Sequence, residues 1–166
     1  MKRTTLAFAA IVPLAAFAAS NPDSSFYKNA AEGGMSEVDL GNLAQQKSSN
    51  PSVKDFGAMM VKDHTAANEK LKAIAAAKGI DLPSSASVGQ MATEGKLKLL
   101  SGETFDKSYI KGMIDDHKED IKEFEKEATA GRDPDAKAFA AATLPTLKMH
   151  LKKIEGIAAH AGIKAD

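Results

Sequence analysis

Met60-Val61-Lys62-Asp63-His64 and Met113-Ile114-Asp115-Asp116-His117 are two copies of one phrase: methionine, a β-branched residue, a polar residue, aspartate, histidine. Both lie inside long stretches where apolar residues recur at steps of three and four, the rhythm of a single helix face. On that rhythm Met60 and His64 share an inward face, and so do Met113 and His117. Asp63 and Asp116 stand about 100° round the helix from the neighbouring histidine.

The first copy sits in a segment with clear ends. Asn50 before Pro51 is an N-cap with proline at the first helical position, and Lys78-Gly79 is a C-terminal stop. Its seam reads Val53, Gly57, Met60, His64, Ala67, Leu71, Ile74. Upstream, from about Asp23 to Lys47, the seam Phe26, Ala30, Gly33, Glu37, Leu40, Ala44 predicts another helix, with a carboxylate on its apolar stripe. The second copy belongs to a helix expected from near Thr104 to Ala130-Gly131, with the seam Ile110, Met113, His117, Ile121, Phe124, Ala128. Its opposite face is dense in charge, as a solvated face is. Asp133-Pro134 then caps a last helix with the seam Ala136, Ala140, Thr143, Leu147, His150, Ile154, Ile157, Ala161. Pro145 lies inside it, removes a backbone donor and frees the carbonyl of Ala141, so a kink is expected one to two turns before His150. Residues 79–103 are a longer connection. Asp81-Leu82-Pro83-Ser84-Ser85 signals a turn, Val88 to Leu100 suits a short extra helix, and Ser101-Gly102 breaks it. The pattern is all-α: a ferritin-like four-helix bundle with one long crossover between its second and third long helices, which then run parallel.

Composition agrees. Cysteine and tryptophan are absent and aromatics make up 5%, while alanine, leucine, lysine, glutamate and methionine are plentiful. Lys2-Arg3, the apolar run Leu6 to Ala19 and the motif Ala16-Phe17-Ala18 have the anatomy of a secretory signal peptide over residues 1–19, too short to span a bilayer. A single helical domain over residues 20–166 follows, large enough to bury a substantial core. Without Lys2 and Arg3 the balanced chain has a formal charge of about −2. It therefore carries no electrostatic footprint for nucleic acid or anionic membrane. The expected location is outside the cytoplasm, in the periplasm of a two-membrane cell, soluble or peripheral to the outer membrane. Any metal held there depends on histidine, methionine or carboxylate ligands.

Glu37, His64, His117 and His150 each fall near the middle of their own helix, so a bundle of matched helices sets them at one level. Three imidazoles and one carboxylate suit one divalent transition metal: zinc, copper, iron or nickel. Met60 and Met113 could add soft ligands to cuprous copper, or simply fill the core. Asp63 and Asp116 could fix imidazole tautomers from outside the ligand shell, or face solvent. Gly33, one turn before Glu37, leaves room for the carboxylate or permits a close helix contact. Equally, the four polar residues could form a buried hydrogen-bonded layer that sets helix register with no metal. His160, near the last turn and off the seam, reads as a surface residue.

The runs FGAMMVKDHTAANEKL (56–71) and FDKSYIKGMIDDHKEDIKEF (105–124), with Leu144-Pro145 and His150-Leu151, resemble the ferritin-like bacterial domain-of-unknown-function family numbered 4142. The resemblance spans essentially the whole mature chain. It implies an exported helical bundle of the periplasm or outer membrane with no settled activity. Tyr109, from the FD-x-x-Y element, joins the residues to be placed around the site.

Di-iron chemistry is not expected. Those sites need Glu-x-x-His pairs on two helices, and here Val61 and Ile114 stand three residues before His64 and His117. No nucleophile elbow or phosphate-binding glycine loop is present, so only redox chemistry at a bound metal would make an enzyme. The sequence thus points to a core that binds a divalent metal or small ligand, in metal handling or envelope stress. The alternative is a non-catalytic envelope or stress module with a structural His/Glu layer, meeting a protein partner or a second copy.

Overall fold

A computed structural model describes residues 21–164, which form five helices and no strand: α1 Ser24–Lys47, α2 Pro51–Lys78, α3 Val88–Lys98, α4 Gly102–Ala130 and α5 Pro134–His160. The expected leader lies outside the described residues. Local chemistry sets most of the helix ends. The Asn50 side chain accepts from the Ser52 amide at 2.9 Å, Asp133 accepts from the Asp135 amide at 3.0 Å, and proline follows each cap at the first helical position. Gly79 takes the left-handed conformation, φ 66°, that closes α2. Ser87 and Gln90 form a reciprocal capping box at the start of α3. Ser101-Gly102, expected only to break the chain, opens α4: Gly102 has φ 56°, which turns the backbone from α3 into the new helix. α5 runs unbroken through Pro145.

Two apolar clusters show how the helices are disposed. One gathers Leu40, Leu43 and Ala44 of α1, Val53, Phe56 and Met60 of α2, Phe105 to Ile114 of α4, and Ile154 and Ala158 of α5, with Leu97 of α3 alongside. The other gathers Phe26, Tyr27 and Ala31 of α1, Leu71 and Ala75 of α2, Phe124 of α4, and Ala136 to Leu147 of α5. The N-terminal halves of α2 and α4 therefore lie at one end together, and the connection bearing α3 returns the chain along the molecule. Glu37, His64, His117 and His150 lie in sequence between the portions of their helices that supply the two clusters.

Each end is tied by buried polar contacts. At the first, Asp106 accepts from the hydroxyls of Ser48 and Ser49, fastening the start of α4 to the α1–α2 turn. At the second, Asp133 pairs with Lys78 at 2.9 Å and accepts from Tyr27 and Asn21, while Asp23 accepts from the amides of Arg132 and Asp133. The backbones of α1 and α2 approach closely at two glycines. A Cβ added to Gly41 would lie 2.6 Å from the Gly57 carbonyl oxygen, and one added to Gly57 would lie 2.6 Å from that of Gly41.

A candidate metal centre in the helix core

The four inward polar residues come together and are almost fully buried. Relative exposure is 3% at Glu37, 5% at His64, and 0% at His117 and His150. His64 Nδ1 lies 2.8 Å from Glu37 Oε2, and His117 Nδ1 lies 2.9 Å from the Met113 carbonyl oxygen. His150 Nε2 lies 2.9 Å from Asp63 Oδ2. A carbonyl or a carboxylate can only accept, so in the neutral rings each of these nitrogens carries the hydrogen. The lone pairs are then on His64 Nε2, His117 Nε2 and His150 Nδ1.

The lone pairs are poorly provided for by the protein. His117 Nε2 and His150 Nδ1 face one another at 3.4 Å, and His64 Nε2 is buried without a hydrogen-bond partner. One nitrogen from each ring lies within 4.8 Å of the other two. Tetrahedral coordination at the usual imidazole distance sets ligand nitrogens about 3.3–3.4 Å apart. The His117–His150 pair already has that spacing at 3.4 Å, and the widest spacing in the group would have to contract by at most about 1.5 Å.

Glu37 takes a different place from the one expected. It is not in the convergent group: Oε2 takes the Nδ1 hydrogen of His64, and Oε1 stands 3.4 Å from His117 Nδ1, at ion-pair distance but outside hydrogen-bond geometry. The carboxylate lies behind the histidines and orients His64. Burial raises its pKa, but the charges of His64 and His117 outweigh that and hold it below the ordinary glutamate value. Glu37 in turn raises His64 against its burial. His117 is lowered, and His150 is pulled down to about 4, by burial first, against the Asp63 hydrogen bond. His150 is thus kept neutral, the form that binds metal.

Asp63 and Asp116, alike in the repeat, part company. Asp63 reaches across to His150 on α5, while Asp116 is exposed. Met60 and Met113 are buried in the first cluster, and Met113 contributes its carbonyl to His117. Tyr109 is fully buried in the same cluster, and that burial, with the Glu37 charge, pushes its pKa up; its hydroxyl lacks a hydrogen-bond partner. Phe56 sets its ring against both His117 and His150, at centroid distances of 6.2 and 6.3 Å, closing that side with hydrocarbon. Gly33 does not make room for Glu37: a Cβ there would meet only Asp120 and Gln90, at 3.9 Å. Gly34 instead leaves space for Asn68 of α2: a Cβ there would fall 2.1 Å from the Asn68 side-chain oxygen. His160 is exposed, its Nδ1 2.7 Å from the Gly156 carbonyl oxygen.

These features define an all-helical protein with a buried three-histidine centre backed by carboxylates. Residues 10–157 match the family described as a domain of unknown function, DUF4142, and the chain belongs to that family. Among curated proteins there is no match. Solved structures with a similar fold include a DUF305 protein of Streptomyces coelicolor described as secreted, with TM-score 0.73 and 12% identity over 87% of this chain and 96% of that one. CopM is similar in its silver-bound form, with TM-score 0.68 and 16% identity over 83% of this chain and 96% of that one. In its Cu(II)-bound form the TM-score is 0.67 at the same identity and coverage. At these identities the likeness is one of fold. Among the described residues no helix is long and apolar enough to cross a membrane.

Proposed function

We propose that this is an exported, periplasmic protein that binds one transition-metal ion in the core of a ferritin-like bundle with a long crossover, and that it serves metal handling. The expected leader, residues 1–19, would be removed, leaving the domain over 20–166. His64, His117 and His150 are the proposed ligands. Glu37 and Asp63 position the imidazoles from behind. The observation that carries this reading is the convergence of three buried imidazoles, each with one nitrogen within 4.8 Å of the other two, and with His64 Nε2 lacking a hydrogen-bond partner. Imidazole donors suit copper, zinc, nickel and iron. The bound forms of CopM, a protein of similar fold, lend weight to copper. Missing Glu-x-x-His pairs weigh against a di-iron centre.

Titration calorimetry of the purified mature chain with Zn(II) and Cu(II), with metal analysis of the recovered protein, tests the proposal. Binding of one ion with a dissociation constant of about 1 μM or tighter is expected, weakened at least roughly tenfold by His64→Ala, His117→Ala or His150→Ala. The opposing result is a structural layer. The same replacements would then lower thermal stability, and neither metal would bind wild type nor raise its melting temperature.

A further inference from the structure

A centre this deeply buried would need an entrance, and the structure has a groove beside it. A groove of about 250 Å³ runs between α2 and α5 and is lined by both His64 and His150. Its walls carry two neighbouring pairs of residues: Asp63-His64 on α2 and Met149-His150 on α5, all four lining the groove. In each pair the histidine is buried and its neighbour is at least partly open to solvent. His64 and His150 are 5% and 0% exposed, whereas the Asp63 side chain is 25% exposed and Met149 is 44% exposed. Met149 is thus a large apolar residue left in solvent beside a ligand of the core. Small side chains, Ala66 and Ala142, keep the groove open. Lys70 also lines it, two turns beyond Asp63 along α2.

We propose that this groove is the metal port, and that the Met149 thioether with the Asp63 carboxylate is an outer docking site for a soft monovalent cation, cuprous or silver, ahead of transfer to His150 and His64. A thioether favours such ions over zinc, which sets the selectivity of the entry step apart from that of the histidine centre. The Asp63 charge attracts the cation, and its hydrogen bond to His150 Nε2 keeps the inner nitrogen of that ring ready to receive it. This inference rests on the reading of the core as a metal centre. It adds a second site, with its own ligands and its own preference.

Uptake kinetics of the full mature protein test it, with Cu(I) and Zn(II) each delivered from a chromophoric chelator under anaerobic conditions. Met149→Leu should slow Cu(I) uptake by roughly tenfold and leave Zn(II) uptake within about twofold of wild type. Ala142→Trp, at an exposed position on the groove wall, should slow entry and release of both ions by similar factors and leave the dissociation constants within about twofold. Wild-type protein that binds tightly, with Cu(I) rates unchanged in both variants, overturns the port alone. Wild-type protein that binds neither ion overturns both the port and the core centre.

Discussion

Glu37 shows how a buried charge can act on a histidine cluster that it does not itself join. Its carboxylate takes the Nδ1 hydrogen of His64, raises the pKa of that ring, and leaves Nε2 as its second, unpartnered nitrogen. The same logic holds at His150, where Asp63 takes the Nε2 hydrogen. Glu37→Gln keeps the size of the side chain and removes the charge. The His64 titration midpoint should then fall, because burial would act with little to oppose it. Metal affinity should drop about 10- to 100-fold although no proposed ligand is lost. Imidazole proton shifts followed by NMR against pH, with calorimetric titration, measure the two effects. An unchanged affinity would mean that Glu37 has no part in positioning the ligands.

At the level of the helices, local signals were readable and cross-helix ones were not. Asn50-Pro51, Lys78-Gly79 and Asp133-Pro134 announce ends that the structure keeps, because a cap needs only its own neighbours. The seams also place Glu37 and the three histidines on inward faces, since a 3.6-residue period is local. The role of each glycine was not readable, because it depends on what the next helix presents. Gly33 has room for a methyl group, Gly34 holds Asn68 of α2, and Gly41 and Gly57 hold each other's backbone. The FD-x-x-Y element shows the same limit: Asp106 owes its place to two serines in the α1–α2 turn. Substitutions should separate these cases. Gly33→Ala should stabilise by about 0.5–1 kcal/mol, from helix propensity alone. Gly41→Ala forces a methyl group against a carbonyl oxygen and should destabilise by about 1–3 kcal/mol, beyond what the propensity gain returns. Urea unfolding of the two variants checks the contrast, and equal midpoints would remove the close α1–α2 contact from the account.

Over the whole molecule, buried ionisable groups occupy three levels, and they respond to pH in different directions. The histidine layer is divided against itself: His64 is raised, so its contribution is present below its unfolded pKa and lost as pH rises, whereas His150, lowered to about 4, loses its contribution as pH falls below about 6.5. The end clasp around Asp133 is less balanced. Asp133 is held down at about 2, against its burial, by Lys78 and Asn21, and it stays ionised through the neutral range. Glu127, 8% exposed, is pushed up to about 7 by burial and by Asp23 and Asp133. A carboxyl raised in this way holds its proton more tightly in the folded chain. Its contribution is full below the unfolded value of about 4.5 and disappears as pH rises through 7. Glu127→Gln replaces the proton-bearing form with an uncharged group at every pH. The variant should match wild type near pH 4.5 and exceed it by on the order of 1–2 kcal/mol at pH 8, after allowance for solvent screening. The difference between the two proteins at each pH cancels the histidine contributions, which both share, so urea unfolding from pH 4.5 to 8 isolates the end clasp. A difference that stays flat across that range would show that Glu127 ionises in the folded chain as it does in the unfolded one.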